Sequence, residues 1–507
     1  MIPFQTFDWK TRESVSVVQL LDLDLNARDL RQRGTIRHEF DARRSEMIGE
    51  AVVSISQKAL VAADIADRDA PAVLSEVSLA WPADRALEAG AHLLQIESGG
   101  LSFGRATVRI SPAHETEAIL SEIDLGDGIV CAAAVRDGKL VILRDDLPGG
   151  LVGNYSRRVA GDGKRRLHLD LYDLAALPSL PLAGTCAIEI ERDVSIASDG
   201  LLWPRPHLPT VVLKKFGSVC GPYYPILAMP MLPVGQIGTT ITIGESGMIG
   251  NFGMLAYQPL YLTREAQKLL VFNTSDAAAP TAGAPFAIGT DETVANGVYQ
   301  AADGLFVMGA SEWNNDAGVS AFGSGTPIHS VRVVEIGISG EPVVRQAIDL
   351  PGALFAIGDL DRDGFLAFTR GADPLGKPSV QVSACDGFDA FEIASLEVPQ
   401  SEVVVAGGWR LFRAVAQGVE CFRLSEEGAF LAEGRIQLGW QPDSLAWLDG
   451  VLIGGDQRTL FAAGSAATEA TQWPFPAPNF TFRNVALAGD GDLLAPLGDY
   501  GVARLER

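Results

Sequence analysis

Cysteine, positive charge and long apolar runs are all scarce in this sequence, and each shortage removes a class of function. The five cysteines (Cys131, Cys186, Cys220, Cys385 and Cys421) are scattered, odd in number and never spaced as CxxC. That excludes a zinc motif and a disulfide framework. Most sit in apolar runs such as "GIVCAAAV", where a free thiol behaves as a small hydrophobe. Lys and Arg total 40 against 63 Asp and Glu, a net charge of −23. Such a field repels phosphate backbones unless a local basic patch overcomes it. The densest basic stretch, "GKRRLH" at 163–168, is too short for that, so nucleic acid is not an expected partner. The acidic balance suits cation binding or plain solubility. No apolar run approaches the ~18–20 residues of a transmembrane helix. The N-terminus, "MIPFQTFDWKTRESVSVVQL", lacks the charged and apolar regions of a signal peptide. The expectation is either a cytoplasmic protein or a mature or excised portion of a longer one, and the abrupt start favours the second. The six histidines are never spaced as HxH or HExxH, so no metal-hydrolase motif is present.

What the chain does have is apolar material and turns. Its 507 residues are 47% hydrophobic with a mean hydropathy of +0.16, and they include 54 Gly and 28 Pro. That composition fits many short strands joined by tight turns. A phrase recurs through the chain: an alternating strand, a turn, a second strand, then a hairpin around Asp-Gly or Gly-Gly. It reads "KALVAADIADRDAPAVLSEVSLAWPADRALEAGAHLLQIE" at 58–97 and "ATVRISPAHETEAILSEIDLGDGIVCAAAVRDGKLVIL" at 106–143. It returns as "LLVFNTSDAAAPTAGAPFAIGTDETVANGVYQAADGLFVM" at 269–308, and at 330–369 as "SVRVVEIGISGEPVVRQAIDLPGALFAIGDLDRDGFLAFT". The tips Asp137-Gly138, Asp303-Gly304, Gly407-Gly408 and Asp449-Gly450 lie where hairpins need positive φ.

Four strands per repeat, many times over, predict an all-β chain and specifically a β-propeller of four-stranded blades. The count favours eight blades, with seven and nine open; a pair of β-sandwiches is the rival and leaves the recurring phrase unexplained. Residues 1–14 read as a lead-in and 15–507 as a single propeller. The N-terminal "SVSVVQLLDLDL" and the C-terminal "GDLLAPLGDYGVARL" read as half-blades that complete each other.

The units "LVAADIADRDAPAVLSEVSLAWPADRALEAGAHLLQIE" and "VRVVEIGISGEPVVRQAIDLPGALFAIG", with the ending "LLAPLGDYGVARL", resemble repeats of bacterial secreted β-propeller proteins, distant relatives of WD-repeat propellers. The resemblance covers most of residues 15–505. In that group the turn carries a DP dipeptide, which "DRDAP" at 67–71 and "SDAAAP" at 275–280 replace. The resemblance implies an extracytoplasmic propeller, often a module of a larger surface or secreted protein, and carries over no catalytic residue.

Four stretches stand out as candidate sites. "IGDLDRDGFLAF" at 357–368 places Asp359, Asp361 and Asp363 ahead of Gly364, as a calcium loop begins. Such a loop also needs a bidentate acid near its twelfth position, where Arg370 stands, and Ala367 occupies another ligand position. An EF-hand is excluded; the stretch is either an incomplete calcium site or a hairpin tip, and the tip is preferred. Residues 203–266 form a long insertion in a middle blade, with Trp203, Tyr223, Tyr224 and Tyr257 among its aromatics. Aromatic-rich long loops are frequent binding surfaces, though they also serve as lids. "GESGMIG" at 244–250 lacks the closing glycine of a nucleophile elbow. "GASEWNNDAGVSAFGSG" at 309–325 sets Glu312, Trp313, Asn314, Asn315 and Asp316 side by side. That composition suits a sugar, because an indole stacks on a pyranose while amides bond its hydroxyls, and it equally suits a solvated loop.

The function expected is therefore non-catalytic: an extracytoplasmic binding or scaffold propeller with protein or glycan partners. One alternative is a propeller-fold polysaccharide lyase or glycosidase, which needs two carboxylates about 5–10 Å apart. The other is a structural subunit docked through 203–266. No cofactor is expected, with calcium the one cation left open.

Overall fold

The computed structural model describes all residues except 9–12, 39–41, 57–58, 80, 99–104, 147–163, 192–193, 197–199, 216, 220–260, 264–266, 290–292, 303, 314–326, 360–363, 374, 457, 465–467, 475–483 and 499–500. The described chain is built from antiparallel sheets in which successive strands lie side by side. This is what short β-rich runs separated by turn residues produce. Ten such sheets follow one another and are numbered here in chain order. Sheet I spans 2–38, II 42–78, III 85–127, IV 129–191, V 194–287, VI 293–350, VII 352–397, VIII 404–437, IX 444–474 and X 486–505. Sheets I and X have three strands; the others have four or five. A further two-stranded ladder pairs Gly217–Val219 with Tyr261–Thr263.

The expected Asp-Gly hairpins are present. Arg136 pairs with Lys139 around Asp137 (φ 49°) and Gly138 (φ 70°), and Leu448 pairs with Val451 around Asp449 (φ 42°) and Gly450 (φ 87°). Two consecutive positive φ values make the tight primed turn whose twist matches the strands it joins.

Sheets III to X are linked by apolar clusters that run in a closed cycle. Leu94 and Val108 of sheet III pack with Leu140 and Tyr172 of IV. Leu167 and Leu169 of IV pack with Val211 and Phe272 of V. Leu269 joins V to Phe306 and Met308 of VI, and Val331 and Val333 join VI to Phe365 of VII. Phe368 carries VII to Leu411 of VIII, Phe412 carries VIII to Phe461 of IX, and Ile453 carries IX to Leu493 of X. The cycle ends where it began: Leu494 and Val502 of X pack on Ala86 and Leu93 of III. Covered on both faces, the middle strands are buried without alternation, as in Leu93–Glu97 and Val451–Gly455, the pattern of a sheet enclosed on two sides.

The terminal half-blades do not complete each other, which corrects the expected closure. Glu13–Asp24, which carries "SVSVVQLLDLD", pairs with Ile2–Asp8 and Asp29–His38, while the C-terminal strands pair among themselves. The seam between X and III is closed instead by side-chain packing and by an isolated bridge, Ala83 with Gly498. The Asn484 amide also donates to the Asp84 carbonyl at 2.6 Å.

Sheets I and II share a cluster of their own, Val18, Leu20 and Ile36 against Val52, Val61 and Ala63. Their relation repeats one found between IV and V. The "DRDAP" turn of sheet II laps over Gly34 of sheet I, where an added Cβ would lie 2.5 Å from Pro71 Cδ and 2.6 Å from the Asp69 carbonyl oxygen. The "SDAAAP" turn of sheet V laps over Gly184 of sheet IV, where a Cβ would lie 2.1 Å from the Ala277 carbonyl oxygen and 2.9 Å from Pro280 Cδ. The same turn thus latches one sheet to the last strand of its predecessor, and a glycine makes room for it.

Candidate functional site

The buried ion pairs of the described chain lie within sheets III and IV, and a further charged cluster spans the seam between X and III. Arg109 lies in the third strand of sheet III, and its side chain is only 5% exposed. It donates to Glu97 at 2.8 Å, to Glu122 at 2.9 Å and to the Pro82 carbonyl at 2.9 Å, and its guanidinium lies 5.3 Å from the Trp81 ring centroid. In sheet IV, Arg144 pairs with buried Asp170 at 2.6 Å, which also accepts from Thr185 at 2.6 Å. Arg165 pairs with Asp145 in the same sheet. At the seam, Arg504 bonds Asp492 at 2.9 Å and also Asp490, with Glu88 of sheet III at 3.6 Å.

Arginines also reach across from one sheet to a neighbouring backbone. Arg85 of III donates to Cys131 of IV at 2.9 Å, Arg144 of IV to Leu125 of III at 2.7 Å, Arg413 of VIII to Glu397 of VII at 3.3 Å, and Arg504 of X to Ala113 beside III at 2.8 Å. A guanidinium suits this work, because its fork serves a carboxylate and a carbonyl together. Of the acids around Arg504, Asp490 is held ionised: the Asp492 amide and Arg504 keep its carboxyl below its usual value, with desolvation opposing. A glycosidase acid needs the opposite shift.

Asp84 does have a raised pKa, chiefly from burial, with hydrogen bonds from Ser98 opposing. It sits at the seam: one carboxylate oxygen accepts from the Ser98 amide at 2.9 Å and from its hydroxyl, and the other is buried without a hydrogen bond. Its own amide bonds the Ile96 carbonyl, as that of Asp443 bonds Gly455. Both residues follow a Trp and a Pro, in "WPAD" and "WQPD". Neither was singled out by motif; the signal was in the repeat, where both stand just before a first strand.

The residues expected from sequence fare as follows. Asp359 ends the strand Gly352–Asp359 and pairs with Phe365. Asp361 and Asp363 lie outside the described residues. Trp203 is half-buried and engaged: Arg136 lies 5.1 Å from its ring centroid, and its amide donates to Gln300 at 3.2 Å. It therefore ties sheets IV, V and VI together rather than presenting a free ring. Thr210–Lys215 pairs with Lys268–Asn273, so the start of the expected 203–266 insertion belongs to sheet V. Tyr223, Tyr224 and Tyr257 fall outside the described residues, as does Ser246. Glu312 and Trp313 close the strand Leu305–Trp313, paired with Ile328 and Pro327. Asn314, Asn315 and Asp316 are not described. Below that loop, Ser311 and His329 face each other at 2.7 Å, and burial lowers the His329 pKa.

No family model matches this chain, and no curated protein matches it. Among solved structures, one reported under "Structural and Mechanistic Analysis of Two Prolyl Endopeptidases: Role of Inter-Domain Dynamics in Catalysis and Specificity" aligns with 82% of this chain at 14% identity and a TM-score of 0.39. It is matched over 52% of its own length, so this chain spans about half of it. Nothing about activity follows from a likeness of that size. Among the described residues, no three His, Cys, Asp or Glu side chains are grouped as metal ligands, and no helix is long and apolar enough to cross a membrane, which says nothing of a β-barrel.

Proposed function

We propose that this chain is a non-catalytic binding scaffold: an eight-bladed β-propeller formed by sheets III to X, preceded by a pair of blade-like sheets. In keeping with its resemblance to bacterial secreted propellers, it works outside the cytoplasm and takes protein or glycan partners. The observation that supports this reading most is the use of buried charge. Among the described residues Glu97, Arg109, Asp145, Arg165 and Asp170 are buried and each forms an ion pair, whereas the buried Asp84 carboxyl is held by Ser98 alone. Their electrostatics hold blades in place, and loops on such a rigid frame are suited to recognition.

The experiment is a glycan array and a polysaccharide-depolymerisation panel run side by side on the purified chain. Saturable binding without turnover supports the scaffold reading. Release of reducing or unsaturated ends, abolished by substituting a carboxylate, overturns it.

A further inference from the structure

Sheet II is apolar on both faces but covered on one. In Ala51–Ser56 and Ala59–Asp64 burial alternates: Val52, Ser54, Val61 and Ala63 face sheet I, while their neighbours do not. The register sets out the open face in rows: Arg44, Ile55, Leu60 and Val77; then Glu46, Val53, Ala62 and Ser75; then Ile48, Ala51 and Asp64. Ile48 is 63% exposed, Val77 54% and Ile55 36%. Apolar residues on both sides of a strand are the mark of a sheet enclosed on two sides, and a contiguous exposed apolar face marks an interaction site.

We infer that this face is a homodimer interface, covered by the same face of a second copy. The partner's chemistry follows from the rest of the chain, where every junction in the cycle from sheet III to sheet X sets one apolar sheet face on another. The cycle is closed by the packing of X on III, so those sheets already have their neighbours. The second copy supplies an identical unpaired sheet. Its charges are also complementary to themselves: Arg44 and Glu46 stand in adjacent rows of the open face, so a two-fold axis between them sets each arginine against the partner's glutamate.

Area sets the strength. Four strands about 4.8 Å apart and about six residues long at 3.3 Å each give a footprint of roughly 400 Å² per copy. Both copies together bury about 800 Å², below the roughly 1,600 Å² of a standard interface, so the dimer is a weak one with a Kd in the micromolar range. This inference is independent of which ligand the propeller binds.

Sedimentation velocity of the full chain from about 1 to 200 µM, a range spanning micromolar Kd values, tests it. The expected result is a reversible monomer–dimer equilibrium. Val77→Glu, on an exposed edge strand, raises Kd at least about tenfold with an unchanged melting curve. Arg44→Glu alone also weakens the dimer, and Arg44→Glu with Glu46→Arg restores it, because the swapped pair is again self-complementary. A monomer at every concentration, a dimer indifferent to Val77→Glu, or a double swap that fails to restore association overturns the inference.

Discussion

Arg109→Met is the most informative single perturbation of the frame. The arginine joins two acids, a backbone carbonyl and an indole, and its partner Glu97 is as buried as it is, with each side chain 5% exposed. Methionine keeps the apolar stem but leaves Glu97 charged and buried with nothing to neutralise it. Breaking a buried pair from one side costs about 3–5 kcal/mol. Glu122 is about half exposed, so its share is at most about 1 kcal/mol. Replacing both partners, in Arg109→Met with Glu97→Met, removes the stranded charge as well as the pair and recovers most of the loss, because an apolar pair of similar volume is close to neutral. The assay is urea unfolding at pH 7 followed by tryptophan fluorescence, with Trp81 stacked near the guanidinium. Stability is compared across the four members of the double-mutant cycle. A single variant that loses less than about 1 kcal/mol, or a double variant no more stable than the single, refutes the reasoning, since either result means that the buried charge was never unsupported.

Three further outcomes follow from the same structure. Gly184→Ala places a Cβ 2.1 Å from the Ala277 carbonyl oxygen, so it costs about 1–3 kcal/mol by overpacking in the same unfolding assay, whereas Gly464→Ala, with nothing near the added carbon, leaves stability within about 0.5 kcal/mol. Burial pushes the Cys385 thiol up to about 12 and that of Cys421 up to about 11, so a thiol-specific disulfide reagent at pH 8 labels neither in the folded protein and both after denaturation. His38 bonds Ser54 through Nε2 at 2.8 Å, and its Nδ1 is buried without a partner. Burial lowers its pKa below 6.5, with Glu76 opposing. The unfolded chain therefore takes up a proton first as pH falls below 6.5, and sheets I and II lose stability until the folded pKa is passed. Hydrogen exchange of residues 51–63, corrected for intrinsic rates, shows protection falling from pH 7.5 to 5.5, and His38→Gln removes that trend.

The legible part of the fold was the part written in local chemistry. Asp137-Gly138 and Asp449-Gly450 announced their hairpins because only certain residues tolerate two positive φ values. Period-2 runs and turn spacing marked blade-like sheets before any pairing was seen. The candidate site was less legible. Trp203 read only as one aromatic of a long insertion, binding surface or lid, because sequence cannot show that Arg136, beside the hairpin tip of another sheet, lies against its ring. Asp84 was overlooked because its raised pKa comes from the seam that buries it, and the seam is made of residues some four hundred positions apart. The terminal strands misled for a related reason: "SVSVVQLLDLD" is a good strand, but strand propensity does not choose a partner.

By itself, then, the sequence determined the alternation, the turns and the repeat that make this chain all-β, together with the acidic balance that argues against a phosphate-binding surface. Only the tertiary structure decided which sheets enclose one another. The reason is that a strand apolar on both faces specifies that it must be covered, while the covering surface comes from residues remote in the chain. Sheets III to X find theirs in a closed cycle; sheets I and II find each other, and the outer face of sheet II keeps Ile48, Ile55 and Val77 exposed.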